Sequence, residues 1–259
     1  LGPPLVLVVS GRAALQPRST RILAAAARPI VEGSGLTEPS PVISVNDQRD
    51  GGFRIGTVGR VIDNVEVKIA EDGEILVKGP NVMQGYYKGS EKTNEVMSGN
   101  YFHTGDIGEI CKEGFLKITD RKKEMFKTSG GKYVAPALLE NQFKQSRFIE
   151  QIMVIGEGER MPAALIQPNF EFIEEWAKRH DITFKSKEEV AANQQLRERI
   201  QEEIDYANTK FGKWEQIKKF ELTPNIWSID EGHLTPTMKM KRKVIKEKYK
   251  DLIEKIYRS

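Results

Sequence analysis

The stretch that decides the fold runs from Tyr101 to Glu140 and reads YFHTGDIGEICKEGFLKITDRKKEMFKTSGGKYVAPALLE. Alternation of apolar and polar residues predicts a strand near Ile107–Cys111 and a second near Phe115–Thr119. Lys112-Glu113-Gly114 turns the chain between them, so the two form a hairpin. Asp106 then stands at the mouth of the first strand, and Asp120-Arg121 leaves the end of the second. An ionised carboxylate only accepts hydrogen bonds, which suits vicinal hydroxyls, whereas Arg presents a rigid fork of donors. The two groups can converge on a small polar ligand, or pair with each other and pin the hairpin. Beyond Arg121 the chain turns cationic at Lys122, Lys123 and Lys127, and then glycine-rich at Gly130-Gly131. Pro136 is placed to open a helix through Leu138, Leu139 and Phe143.

Upstream, residues 53–89 read as β-rich. Val61, Val65, Val67 and Ile69 alternate, Glu71-Asp72-Gly73 turns, Glu74–Lys78 returns as a strand, and Gly79-Pro80 closes it. Tyr86 and Tyr87 are expected to be half-buried packing residues, and His103, without a nucleophile beside it, to be loop structure. Nearer the start, Leu5–Val9 is a continuous apolar run that predicts a buried strand. A helix is expected over Ser19–Ala27 and a short strand over Pro29–Glu32, which together make a parallel strand–helix–strand unit. The ligand edge of such a unit is where SGLTE, residues 34–38, lies.

Downstream, strands are expected at Gln151–Ile155 and Ala163–Gln167, and helical spacing marks Phe170–Arg179. Ser186-Lys187-Glu188-Glu189 matches a capping box opening a helix to about Asn208, and Lys218–Leu222 is a last strand. His180 and His233 fall in polar connectors and are expected at the surface. The cations from Lys241 to Lys250 open a final helix. Together these elements predict α/β and α+β architecture: a parallel unit with a β-rich subdomain, followed by a small α+β domain. The expected limits are 1–119, a hinge at 120–123, and 124–259.

The bulk properties exclude several classes. A length of 259 residues with 39% hydrophobic content supports one large or two ordinary domains. Lys and Arg number 40 against 37 Asp and Glu, a net charge of +3, so no global field argues for nucleic acid. Cys111 is the sole cysteine, which excludes an internal disulfide, fits a reducing compartment and predicts a cytoplasmic location. Its place in a strand predicts a buried, inert thiol. No apolar run approaches the length of a membrane-spanning helix. The chain opens on Leu1 and reads as a piece of something longer, with an N-terminal portion missing.

The runs YFHTGD, ITDRKKEMFKTSGGKYVAP and LTPTMKMKRK, together with SGLTE and GEILVKGPNVMQGYYK, resemble the adenylate-forming (acyl-CoA synthetase/luciferase-like) superfamily. Within it they are most similar to the long-chain fatty acyl-CoA synthetases. The resemblance implies an ATP-dependent ligase that makes an acyl-adenylate from a fatty acid and passes the acyl group to CoA. It further implies that Asp106 and Arg121 grip the ribose, that Gly35 and Thr37 approach the nucleotide, and that Glu38 helps hold Mg2+, a cation that takes oxygen ligands. It places a hinge at Asp120 and Lys123 and brings Gly130 and Gly131 to the pantetheine arm of CoA. A late Lys bridges the acyl carboxylate and α-phosphate in this superfamily. Lys239 fits the Lys-x-x-Arg spacing with Arg242, whereas counting from Leu234 points to Lys241.

Three positions depart from the pattern: Ser34 replaces a usual Tyr that covers the adenine, Arg12 a usual Gly, and Pro39 a usual Thr. The superfamily's Ser/Thr/Gly-rich phosphate loop does not occur in these residues, so the isolated segment is expected to be unable to complete adenylation. Two alternatives carry different partners. One is an acyl-AMP ligase that serves a carrier protein. The other is a non-catalytic binding module with a basic C-terminal helix; such a helix suits anionic lipid or nucleic acid, and peripheral membrane contact is an expectation for the ligase as well.

Overall fold

The computed structural model describes residues 7–11, 15, 17–26, 30–49 and 51–258. The chain forms two compact units, Leu1–Lys123 and Glu124–Ser259. In the first, β1 (Val8–Ser10), α1 (Pro17–Ala25) and β2 (Ile30–Ser34) make the expected unit, with β1 parallel to β2. Short strands β3 (Ser44–Val45) and β4 (Arg60–Val61) extend that sheet antiparallel in the order β1-β2-β3-β4. The predicted strand at the start is less buried than expected: Val9 is 66% exposed, and Leu5 and Val6 lie outside the described residues, as do Arg12, Ala27 and Pro29.

The β-rich remainder holds β5 (Glu66–Ile69), β6 (Glu74–Lys78), α2 (Ser90–Val96), β7 (Met97–Ser98), β8 (Tyr101–Ile110) and β9 (Leu116–Arg121). All pairings in this sheet are antiparallel, with β8 bonded to β6, β7 and β9. Ile43, Ile75, Val77 and Leu116 form the buried centre, against Val58, Val65, Val67, Ile69 and Ile118. Full burial of each such side chain stabilises the fold by about 1.5–3 kcal/mol.

Strand β8 starts well before the predicted Ile107, because Gly105 reads as a breaker but acts as a bulge. Its φ of +69° lets two residues of excess chain be absorbed between the Leu76–His103 and Glu74–Ile107 pairings. His103 is consequently a strand residue and not a loop residue. At the far end the strand stops at Ile110, so Cys111 sits in the turn at intermediate exposure rather than buried in a strand. Tyr86 is partly exposed and Tyr87 is 90% exposed, so half-buried packing does not describe Tyr87.

The second unit opens with a hairpin of β10 (Phe126–Lys127) and β11 (Tyr133–Val134), then α3 (Pro136–Phe143). A sheet of β12 (Ile149–Ile155), β13 (Ala163–Pro168) and β14 (Lys219–Leu222) follows, with β12 antiparallel and β14 parallel to β13. Helices α4 (Phe170–Arg179), α5 (Lys187–Ala192) and α6 (Gln194–Asn208) precede β14, and α7 (Arg242–Lys248) and α8 (Lys250–Arg258) end the chain. The sheet is buried on both faces, so its strands read as continuous apolar runs. Ile152, Val154, Ala164 and Ile166 meet Leu139, Phe143, Ile173, Leu196 and Ile200 on one side. Met153, Ile155, Ala163 and Leu165 meet Trp227, Ile245, Tyr249 and Ile256 on the other.

Three expectations change here. The helix expected from Ser186 to Asn208 is two helices, because Asn193 breaks it and caps the second by accepting from the Leu196 amide at 2.9 Å. The Ser186 cap does form, but Glu189 accepts from the Lys185 amide. The final helix is likewise interrupted at Tyr249, whose ring is buried. His233, expected at the surface, is fully buried and stacked on Tyr249 with ring centroids 6.2 Å apart.

Candidate active site

In the first unit, β8 and β9 place Asp106 directly opposite Arg121. Arg121 Nε lies 2.7 Å from Asp106 Oδ1; the carboxylate side chain is 6% exposed and the guanidinium side chain 47%. The pair is thus rooted on the protein side and open on the arginine side. Asp120 is buried, and its Oδ1 accepts from the Arg121 amide at 2.6 Å. Lys122 follows with its amide on the Gly105 carbonyl at 2.8 Å, and exposed Lys123 is the last residue of the unit.

A buried carboxylate missed from the sequence underlies this pair. Glu74 on β6 accepts from the Gly105 amide at 2.9 Å, from His103 Nδ1 at 2.9 Å and from Lys122 Nζ at 2.7 Å. Burial pushes its carboxyl up, but the bonds from His103, Lys122 and Gly105 outweigh that and hold it below the ordinary range. Lys122 also bridges to Asp72 Oδ2 at 2.7 Å, and these two carboxylates raise its pKa. The signal was present in Glu74 itself, a charge opening an apolar strand, but only the bulge brings Gly105 to it.

The SGLTE loop leaves β2 with Ser34 on its last position. A Cβ on Gly35 would lie 1.5 Å from the Pro41 carbonyl oxygen, so the close return of the chain requires glycine there. Thr37 is exposed and its carbonyl accepts from Ser40 at 3.2 Å, which makes a turn holding buried Pro39. Glu38 is half-exposed; its Oε1 accepts from the Tyr86 hydroxyl at 2.8 Å, and its carbonyl from Met83 at 2.7 Å. One partly exposed carboxylate is a donor set suited to Mg2+ carried on phosphates, since that ion keeps several non-protein oxygen ligands. Among the described residues no cluster of three acidic, His or Cys side chains forms a protein cage for a metal.

In the second unit Gly130 and Gly131 form the exposed tip between β10 and β11, Gly131 at φ +76°. Nothing within 4 Å would meet a Cβ on Gly131, so the loop is open on that side. Residues 234–240 form a second, smaller hairpin: Leu234 bridges Met240, and the Thr235 amide donates to the Lys239 carbonyl at 2.8 Å. Leu234 is buried and Met240 half-buried, so alternation turns Lys239 and Lys241 to the opposite, exposed face. That shared face is why spacing alone does not separate the two. Neither lysine makes an ion pair among the described residues.

The base of this hairpin is held by Arg242, whose guanidinium grips buried Glu140 on α3 at 2.8 and 2.7 Å and reaches Glu124 at 3.4 Å. Burial pushes the Glu140 carboxyl up, against the pull of Arg242 and the Val154 amide. A bidentate pair of this kind fixes direction as well as distance. Beside it, Lys241 donates its amide to the His233 carbonyl at 2.8 Å.

Over 258 residues the chain is 39% identical to long-chain-fatty-acid–CoA ligase FadD15 of Mycobacterium bovis, covering 99% of this chain and 43% of that protein. It is 33% identical to long-chain-fatty-acid–CoA ligase 1 of Cavia porcellus, covering 99% of this chain and 39% of the relative. The chain therefore spans about two fifths of the length of these curated relatives. A crystal structure of the anthranilate CoA ligase AuaEII in complex with anthranoyl-AMP superimposes with a TM-score of 0.70 at 21% identity, over 93% of this chain and 44% of that one, a likeness of fold. The family model for AMP-binding enzymes matches residues 1–87 and that for the AMP-binding enzyme C-terminal domain matches residues 123–259, so the chain belongs to the AMP-binding enzyme family.

Proposed function

We propose that the full-length protein is an ATP-dependent long-chain-fatty-acid–CoA ligase, forming acyl-adenylate and pyrophosphate and then acyl-CoA and AMP. The observation that carries this reading is the Asp106–Arg121 pair, which joins a buried acceptor to a half-exposed donor two residues before the unit boundary. In the first step a fatty carboxylate attacks the α-phosphorus of ATP and pyrophosphate leaves. Asp106 accepts from the ribose hydroxyls while Arg121 donates, Gly35 and Thr37 border the nucleotide, and Glu38 supplies one oxygen to Mg2+. Negative charge grows on the phosphoryl oxygens in the transition state. Lys239, or Lys241 on the same face, stabilises that charge more than it stabilises the ground state. In the second step the CoA thiolate attacks the mixed anhydride and AMP departs. Gly130 and Gly131 give the pantetheine arm a close approach to backbone, and Asp120 and Lys123 bound the hinge about which the second unit turns. The protein supplies positioning and electrostatics; the covalent chemistry belongs to the substrates.

The relatives' identity over nearly the whole chain supports the CoA-dependent form. The test is AMP release by the full-length protein with ATP, CoA and a panel of fatty acids. CoA-dependent AMP release with a long-chain acid supports the assignment. Release of acyl-adenylate that only a carrier protein discharges, or no turnover with any acid, overturns it.

A further inference from the structure

The Asp106–Arg121 pair spans β8 and β9, and the ladders that β8 makes with β6 and with β9 each carry a register shift near it. The residues bordering the pair are Gly105, which precedes Asp106, and Lys122, which follows Arg121. They are bonded to each other through the Lys122 amide and Gly105 carbonyl at 2.8 Å. Both are also bonded to one carboxylate: Glu74 Oε1 takes the Gly105 amide at 2.9 Å and Oε2 takes Lys122 Nζ at 2.7 Å. An ionised carboxylate only accepts, so His103 Nδ1 carries a proton toward Oε2, and its Nε2 meets Ser98 Oγ at 2.8 Å. The Glu74 side chain is 4% exposed, so its carboxylate is shielded from water, while Lys122 and His103 reach it from side chains that are 45% and 29% exposed.

We infer that Glu74 is a positioning residue for nucleotide binding, fixing Asp106 and Arg121 relative to each other by fastening the residue next to each. The inference rests on the proposed nucleotide-binding function of that pair. The bonds of Glu74 to the Gly105 amide and to Lys122 Nζ carry its influence to the pair. A group that only stabilised the fold would lower the melting temperature without separating substrate affinity from turnover. A positioning group changes affinity in the folded enzyme and does so through Lys122.

The experiment uses full-length protein and measures AMP dissociation constants, the KM for ATP and kcat at saturating ATP, alongside melting curves. Glu74→Gln keeps the shape and an acceptor for Gly105 but loses the charge that holds Lys122. It is expected to weaken AMP binding and raise KM about tenfold while kcat stays within about threefold. Lys122→Met is expected to act in the same direction, and the double variant to be no weaker than Glu74→Gln alone. An AMP affinity within about twofold of the parent in folded Glu74→Gln, while Asp106→Ala abolishes binding, overturns the inference alone. If Glu74→Gln does not fold, Lys122→Met decides: weaker AMP binding supports the inference and unchanged binding overturns it. If Asp106→Ala and Arg121→Ala both bind AMP normally, the nucleotide reading fails and the inference with it.

Discussion

The two hairpins that carry the proposed chemistry are built in opposite ways. In the first unit, Asp106 and Arg121 close one end of the β8–β9 ladder, and Asp106, Asp120 and Glu74 are all buried carboxylates. In the second, Lys239 and Lys241 extend from a seven-residue hairpin whose side chains near the tip are exposed and whose anchorage is concentrated at its base, on Arg242, His233 and Leu234. On the proposed mechanism, a pair that grips the ribose gains from preorganisation. The proposed contact with the α-phosphate asks a cation to reach out from the protein, which an exposed hairpin fixed at its base allows.

This contrast can be broken or sharpened by substitution, beginning with the largest effects. Replacing the lysine that meets the α-phosphate by Ala should lower the adenylation rate about 10²–10³-fold, as for loss of one transition-state donor, while the other lysine's replacement costs little. Pyrophosphate exchange by full-length Lys239→Ala and Lys241→Ala identifies which is which; equal small effects would remove both from the chemistry. Glu140→Ala should destabilise the second unit by about 2–3 kcal/mol, because it takes the bidentate partner from the partly buried Arg242 guanidinium and the acceptor from the buried Val154 amide. Joint replacement of Glu140 and Arg242 by apolar residues should cost much less, read from denaturant unfolding. That outcome would separate an anchor for the lysine hairpin from a source of stability, since adenylation should still fall in the joint variant.

A pH test addresses the same anchor. Burial lowers the His233 pKa below its ordinary 6.5, so the unfolded chain takes up its proton first as pH falls. Stability from this group is fully present above pH 6.5 and is lost as pH drops through that value toward the folded pKa. Besides Tyr249 stacked on it, the charged groups acting on His233 are Lys248, which lowers the pKa further, and Glu231, which opposes it. Unfolding midpoints measured between pH 7.5 and 5.5 should fall in the parent and fall less in His233→Gln. The smallest expected effect is at the break between α5 and α6: Asn193→Ala should cost about 1 kcal/mol through loss of the cap on Leu196. Thermal unfolding reads it, and adenylation should be unchanged.

Much of the architecture was legible along the chain because its signals are local. Pro136 opens α3, period-2 runs mark β5 and β6, and Phe170–Arg179 is a helix with the predicted ends. The failures have local causes too. Gly105 reads as a strand breaker and serves as a bulge; Asn193 reads as one more polar helix residue and is a cap. His233 was misjudged because polar neighbours in sequence say nothing of Tyr249, which stacks on it from sixteen residues away.

What the sequence by itself determined is the hairpin that holds Asp106 and Arg121, the identity of the family, and the two candidate lysines, since each depends on residue type and short spacing. Only the tertiary structure decided that Glu74 binds both Gly105 and Lys122, that Arg242 closes on Glu140, and that Tyr86 reaches Glu38. Those contacts join residues 31 to 102 positions apart. A buried charge takes whatever partner packing delivers to it, and packing is a property of the folded chain as a whole.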